Sequence, residues 1–379
     1  MVAELRSLGI AVGGTPGNQT IVPGVEPGGV AFSGSLESLY SANLHLRTAS
    51  RVLVRVGEFR ARALGELERR AKEQPWERFI QPGREVRLRV TCRKSRLYHS
   101  GAVAARVANA IQARVGGAAA IAPASGDDEG DDHDDAQLIV VRMLHDQCTL
   151  SVDASGALLH RRGYRLATAK APLRETLAAA LLLASEWDTD SPLLDPMCGA
   201  GTIAIEGALL ARRIAPGLGR GFAFMEWPGF DQALWDRLLG EARGRILPSA
   251  PAPIQGSDRD AGAIEAAMAN AERAGVAADV QLTRRAISAI DPPPGPGWLV
   301  TNPPYGARVG QRDRLRNLYA QLGNVARSKC PGWTITLLSA DHRLDSQLAM
   351  PVATVLKTRN GGIAVRVVKG VTEEAESRE

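Results

Sequence analysis

Asn302-Pro303-Pro304-Tyr305 is the segment whose residue types most directly imply chemistry. It follows Leu299-Val300-Thr301, a short apolar run that reads as the end of a buried strand. The exocyclic amine of a nucleobase is a poor nucleophile because its lone pair is delocalised into the ring. Two fixed acceptors, the Asn302 side-chain oxygen and the Pro303 carbonyl, would take its two N–H groups and draw the nitrogen toward tetrahedral geometry. The lone pair is then free for in-line attack on an activated methyl group. The prolines Pro303 and Pro304 fix φ and remove competing N–H donors, which stiffens the loop. Tyr305 supplies a flat face on which an extruded base can stack. An isolated Asn-Pro closes many strands without any such role, so the reading depends on what else the same sheet carries.

A second segment supplies that context. Leu193-Leu194-Asp195-Pro196-Met197-Cys198-Gly199-Ala200-Gly201-Thr202 is a strand ending in an acid, followed by a Gly-rich turn into a helix. In a doubly wound sheet ligands bind at the carboxyl ends of the strands. Gly199 and Gly201 let the backbone approach a ligand closely, and Thr202 is placed to cap the helix. The run Gly199 to Ala204 also fits the dinucleotide pattern G-x-G-x-x-[GA], so the loop alone is ambiguous. That pattern expects a ribose-binding acid about 20 residues on, where Arg220 stands instead. The next strand-end acid is Asp258, within Gly256-Ser257-Asp258-Arg259-Asp260. Its carboxylate suits the two ribose hydroxyls of an adenosyl ligand, whereas Asp195 suits the positive methionyl end of such a cofactor. Either acid could instead cap a helix. Cys198 reads as a small buried residue, since direct methyl transfer needs no covalent intermediate.

The elements that must position these segments form an alternating series. Helices are expected at 175–185, 202–212, 261–274 and 314–329. Strands are expected at 193–195, 254–258, 298–301 and 334–339, with a closing hairpin at 353–359 and 363–368. Apolar strands alternating with amphipathic helices imply a mostly parallel sheet covered on both faces. The first half reads differently. Residues 1–56 suggest a small α+β unit with a helix over 36–46. In residues 86–91, Val86, Leu88 and Val90 alternate with Arg87, Arg89 and Thr91, a strand with one basic face. A helix over 100–114 and a hairpin at 138–143 and 148–153 follow.

Charge points to a polyanion. Residues 127–135 hold seven acids in a Gly/Ala/Ser/Pro setting that reads as a loop. Outside that run 46 basic residues face 34 acids, so the formal net charge of +5 understates how basic the rest is. Arg93, Lys94, Arg96, Tyr98 and His99 are candidates to clamp phosphates and stack a base, with Arg161, Arg162 and Arg165 as further basic contacts. A solvated basic face explains the same pattern on spacing alone. Trp227 and Trp235 read as core residues. The longest apolar run, Leu177 to Ala184, is too short to cross a bilayer. The four cysteines are far apart and the histidines scattered, so reduced thiols, no metal and a cytoplasmic setting are expected.

Taken together, these residues resemble the bacterial THUMP-domain RNA methyltransferases, specifically the 23S rRNA guanine-N2 branch. The resemblance covers nearly the whole chain: Arg93 to Ala102, Leu159 to Arg165, Ala171 to Leu177, Asp195 to Gly201, an insertion from Ala215 to Trp235, and the ending Lys357 to Arg366. It implies a Rossmann-like, seven-stranded class I methyltransferase domain with a reversed last hairpin (157–379). Ahead of it would come a ferredoxin-like part lacking its first strand and helix (1–56) and a THUMP domain with an acidic loop at 125–135 (57–156). It further implies S-adenosylmethionine as cofactor, held by Asp195, Met197, Cys198, Gly199, Gly201, Thr202, Asp258 and Arg259. Asn302 to Tyr305 would be the acceptor loop, and RNA the partner. A tRNA guanine-N2 methyltransferase and a non-catalytic ribosome assembly factor are the alternatives. Two positions depart from the pattern: Arg285-Ala286 stand where an acid would contact the adenine amine, leaving that role to a backbone amide or Ser288, and Ala307 follows Gly306 where relatives often carry an acid.

Overall fold

The computed structural model describes residues 1–12, 25–26, 28–116, 121–123, 136–166, 173–305 and 312–374. The acidic run 127–135, along with Ala171, Pro172, Gly306 and Ala307, lies outside the described residues. The chain divides into two compact units. One comprises Met1–Leu159 with Gly219–Leu239, the other His160–Leu218 with Gly240–Glu379.

The second unit is built on a seven-stranded sheet: β1 (Leu193–Asp195), β2 (Ile254–Asp258), β3 (Val280–Arg284), β4 (Trp298–Thr301), β5 (Thr334–Ser339), β6 (Ala353–Asn360) and β7 (Ile363–Val371). Their spatial order is β3-β2-β1-β4-β5-β7-β6. The first five are parallel, whereas β7 runs antiparallel to both β5 and β6. The strand order reverses between β1 and β4, and such a switch point opens a crevice beyond the carboxyl ends. Leu193, Leu194, Leu299, Val300, Ile335, Leu337 and Leu338 are buried, as expected for strands covered on both faces. Each such side chain contributes about 1.5–3 kcal/mol of hydrophobic transfer energy. Helices α1 (Glu175–Ala184), α2 (Thr202–Ala211), α3 (Ala261–Arg273) and α4 (Arg312–Lys329) connect or cover these strands.

Strand β3 did not emerge from the sequence pattern because only Val280 of its five residues is buried. A helix at Gln232–Gly244 went unassigned as well. The last hairpin closes through Gly361 and Gly362, at φ +52° and +84°. A two-residue turn with both φ positive matches the right-handed strand twist and favours glycine at both places.

The first unit carries a five-stranded sheet in the order Leu53–Arg60, Gln147–Asp153, Gln137–Leu144, Val86–Arg93, Ile121–Pro123. Strand Leu53–Arg60 runs past residue 56, the expected end of the small N-terminal unit, and pairs with Gln147–Asp153. Val86 and Leu88 are buried while Arg87 and Arg89 are partly exposed, the alternation read from the sequence. Residues 219–239 pack into this unit, although the sequence reading placed all of 157–379 in one domain. Phe222, Phe224, Phe230 and Trp235 cluster around Tyr40, whose ring stacks on Phe224 at 4.4 Å between centroids. Trp227 is buried and donates its Nε1–H to Gln137 Oε1 at 2.8 Å. Arg220, which stands where a dinucleotide-binding acid would, donates instead to the Leu158 carbonyl at 2.8 Å and the Ser155 carbonyl at 3.2 Å.

Among the described residues, no helix is long and apolar enough to cross a membrane, and no group of His, Cys, Asp or Glu is placed to hold a metal ion.

Candidate active site

A cleft of about 470 Å³ opens at the carboxyl ends of β1 and β4. The loop after β1 lines it through Asp195, Met197, Cys198, Gly199, Ala200 and Thr202, and the loop after β4 through Asn302 to Tyr305. The two segments singled out in the sequence therefore meet. Ile203, Leu173 and three hairpin residues, Asn360, Gly361 and Ile363, complete the lining.

The first loop is held from several sides. Asp195 is buried, and its Oδ1 accepts from the Thr301 hydroxyl at 2.7 Å and the Met197 N–H at 3.2 Å. Burial pushes this carboxyl up to about 7; the two hydrogen bonds oppose the rise, and the nearby Asp258 charge adds to it. Gly199 lies at φ +52°, with open space where a Cβ would stand. Its N–H donates to Asp258 Oδ2 at 3.1 Å, so the acid of β2 braces the loop after β1. Asp258 Oδ1 accepts from the Asp260 N–H at 3.0 Å. The cap of α3 is Asp260, which accepts from Gly262 and Ala263; Asp258 is not the cap. Asn270, fully buried on α3, donates to the Ala200 carbonyl at 3.1 Å.

The expected capping role of Thr202 is corrected. The N-cap of α2 is Gly201, in left-handed geometry at φ +82°, with no side-chain hydrogen bond. Thr202 is already the first helical residue, so no side chain caps the first turn of α2. A helix N-terminus free of a side-chain cap attracts anions through its exposed N–H groups. Gly201 also has no room for a side chain, because a Cβ would stand 2.9 Å from that of Ala267. Cys198 is buried, and burial with the neighbouring Asp195 and Asp258 charges pushes its thiol well above the usual range. A thiol held neutral in this way is not a nucleophile.

The second loop is held less completely. Asn302 Oδ1 is buried and has no hydrogen-bond partner among the described residues. An orphaned buried acceptor costs about 1–3 kcal/mol unless something donates to it. The Tyr305 hydroxyl accepts from Asn360 Nδ2 at 2.6 Å. Burial raises this phenol's pKa and the Asn360 bond lowers it.

Other expected positions fall elsewhere. Arg259 is exposed at the end of β2, and neither it, Asp258 nor Gly201 lines the cleft. The Arg285 N–H is donated to the Asp258 carbonyl at 2.9 Å, so it is not free for an adenine ring, and Ser288 is exposed. Arg165 donates to the Leu173 carbonyl at 2.8 Å and pairs with Glu175 at 3.0 Å, so its charge is neutralised within its own unit. Arg162 pairs with the buried Glu206, which also accepts from the Tyr164 hydroxyl at 2.8 Å. Arg161 is partly exposed.

In the first unit, Arg93, Lys94, Arg96 and Tyr98 project from the turn after Val86–Arg93, with Tyr98 80% exposed. Asp146 pins the turn by accepting the Arg96 N–H at 2.8 Å, and this bond holds its carboxyl below the usual range. His99 has a structural task, since its Nδ1 caps the helix Ser100–Val115 by accepting from Ala102 at 3.1 Å.

Thr301, Asn270 and Asn360 were missed in the sequence. Thr301 was discoverable, as a hydroxyl at the end of a strand adjacent to the one ending in Asp195. Asn270 and Asn360 carry no local signal.

A parallel sheet with this order and a reversed final hairpin defines a class I methyltransferase unit, with a Gly-rich loop after β1 and Asn-Pro-Pro-Tyr after β4. The match to known families is more particular. Residues 162–369 match the RMKL-like methyltransferase domain, residues 2–53 the RlmL ferredoxin-like domain, and residues 61–153 the THUMP domain. The chain belongs to the RMKL-like methyltransferase family. It is 35% identical over 351 residues to a putative RNA methyltransferase of Synechocystis sp., covering 90% of this chain and 88% of that one. It is 37% identical over 352 residues to the ribosomal RNA large subunit methyltransferase K/L of Syntrophotalea carbinolica. That match covers 90% of this chain and 48% of the relative, so the chain spans about half the length of the K/L protein. Among solved structures, a putative methyltransferase complexed with S-adenosylhomocysteine superposes with a TM-score of 0.83 at 29% identity, over 99% of this chain and 95% of that one.

Proposed function

We propose that the protein is an S-adenosylmethionine-dependent RNA methyltransferase acting on the exocyclic N2 of a guanine in 23S rRNA. The observation that carries this reading is the Asn302 side-chain oxygen, buried beside the cleft and unpartnered among the described residues. An acceptor in that state needs an N–H donor, and an exocyclic amine has two to give.

The residues present fit the cofactor. The open space at Gly199 and the α2 N-terminus, which no side chain caps, suit the carboxylate of a methionyl group. Asp195 would hold its ammonium, and Asp258, with lone pairs remaining beyond its two backbone bonds, the ribose hydroxyls. When bound, S-adenosylmethionine supplies a methyl group made electrophilic by its sulfonium. Asn302 Oδ1 and the Pro303 carbonyl accept the two amine hydrogens and direct the nitrogen lone pair along the line of attack. Tyr305 offers the base a stacking face.

RNA as the substrate class is supported by the THUMP match and by the exposed Arg93, Lys94, Arg96 and Tyr98. The large-subunit rRNA assignment is supported by the name of the K/L relative. Guanine N2 is supported by the family resemblance of residues 93–102, 159–165 and 215–235. Nucleoside mass spectrometry of a deletion strain tests the substrate. The expected result is loss of one N2-methylguanosine from 23S rRNA; loss from tRNA with intact 23S rRNA would replace this substrate. Asn302→Ala tests the chemistry: transfer to rRNA should fall by at least about 100-fold, the order lost when one preorganised polar contact is removed from a transition state.

A further inference from the structure

We infer that Asn360, on the C-terminal hairpin, is a positioning residue for the methyl-acceptor base and acts through Tyr305. The inference rests on the amine-methylation reading above. It begins from a residue choice that the hairpin itself does not explain. Asparagine before glycine is common in tight hairpins because it tolerates positive φ inside the turn. Here the two turn positions are Gly361 and Gly362, and Asn360 is the last residue of β6, with no positive φ. It pairs with Ile363 across the hairpin. Turn geometry therefore makes no demand for asparagine at this position.

The demand comes from the cleft. A stacking platform works only if its ring plane is fixed before the base arrives, because orientation lost on binding subtracts from affinity. Tyr305 is half-buried against the core of its unit, which restrains the near side of the ring. Its far end is held by the hydrogen bond from Asn360 Nδ2 at 2.6 Å, between residues 55 apart in sequence. The donor sits on a paired strand beside a two-residue turn, a stiffer mount than a loop. Gly361 and Ile363 line the same cleft, and Ile363 is 48% exposed although apolar. Asn360 is the one polar side chain that the hairpin places in the lining. The reversed hairpin thus forms the base-side wall of the site, tethered to the acceptor loop through a single phenol.

Steady-state transfer to unmodified 23S rRNA, with calorimetry of S-adenosylhomocysteine binding, tests this in four proteins: wild type, Asn360→Leu, Tyr305→Phe and the double variant. Asn360→Leu keeps the side-chain size and removes the donor. Its kcat should fall by roughly tenfold, the usual scale of one hydrogen bond, with cofactor affinity unchanged. In the Tyr305→Phe background the same substitution should change kcat by less than about twofold, since the partner it acts through is already gone. A tenfold loss in both backgrounds, or no loss in either, overturns the inference. So does weakened cofactor binding in Asn360→Leu, because the hairpin would then be supporting the cofactor loop. Full turnover by Asn302→Ala would defeat the amine-methylation reading itself. An inactive Asn302→Ala beside a fully active Asn360→Leu would defeat only the role given to Asn360.

Discussion

The loops after β1 and β4 line one cleft but are built on opposite plans. The loop of residues 195–202 is braced by the protein at three points: Asp195 by Thr301 and Met197, the Gly199 N–H by Asp258, and the Ala200 carbonyl by Asn270. Among the described residues, the loop of residues 302–305 leaves the Asn302 oxygen unpartnered and has its Tyr305 hydroxyl tied to a distant hairpin. A loop braced at several points presents a fixed shape. An unsatisfied acceptor is instead a reserve of interaction, realised when the right donor arrives. Under the proposed function, this difference would give binding of an invariant partner to the first loop and the bond-making event to the second. Thr301 joins them, because it is bonded to Asp195 and directly precedes Asn302.

If that division holds, substitutions should separate cleanly in kinetics. Asn302→Ala has the largest expected effect, on kcat, with cofactor affinity retained. A variant that loses cofactor affinity and kcat together would break the distinction between the loops. Tyr305→Ala comes next, with a loss of roughly 1–3 kcal/mol of base stacking. The loss should appear in kcat/KM for RNA and leave S-adenosylhomocysteine binding untouched. Unchanged RNA kinetics would remove Tyr305 from the site.

Asn270→Ala probes the other plan. It strips the donor from a buried carbonyl in the first loop and should cost roughly 1–3 kcal/mol of stability, readable by denaturant unfolding. Cofactor affinity should weaken several-fold, with kcat at saturating cofactor preserved. A fall in kcat at saturation would mean that the first loop also shapes the transition state.

How much of this was legible in the sequence followed from the range of the interactions. Strand β1 and its loop are written locally: apolar pair, acid, two glycines, then helix, and Gly199 and Gly201 do adopt positive φ. The cap was misplaced by one residue because Gly201 takes the left-handed position before the helix and moves Thr202 inside it. Strand β3, with Val280 as its one buried residue, gives too weak a period to detect. Trp227 and Trp235 read as core residues in the sequence, but spacing cannot say which core, and Trp235 packs edge-on against Tyr40 within the first unit. His99 and Arg165 show the same limit for charge, since a basic motif does not reveal which members the fold consumes as a cap or an ion pair. Asn302 and Tyr305 could be proposed from the sequence because the chemistry asked of them lies in their own side chains, whereas the role inferred for Asn360 rests on a contact with Tyr305, 55 residues away.

The smallest expected effect tests the first loop through pH. Asp195 has a carboxyl pKa raised to about 7, chiefly by burial, against about 3.9 in an unfolded chain. The folded state therefore binds more protons than the unfolded state between these values, and the cofactor-free protein should lose stability as pH rises from about 4 toward 7. Cofactor binding runs the other way, because only the ionised carboxylate attracts an ammonium. Lowering the pH from 7.5 to 6.5 takes Asp195 from mostly ionised to mostly neutral, and should weaken cofactor binding by about threefold. Asp195→Asn should bind more weakly throughout and lose the extra pH dependence over that interval, since its amide cannot titrate. It should also unfold without the stability decline between pH 4 and 7. Calorimetry and denaturant unfolding at three pH values read both curves. An unchanged slope in Asp195→Asn would place the titrating group elsewhere and leave Asp195 a purely structural acceptor for Thr301.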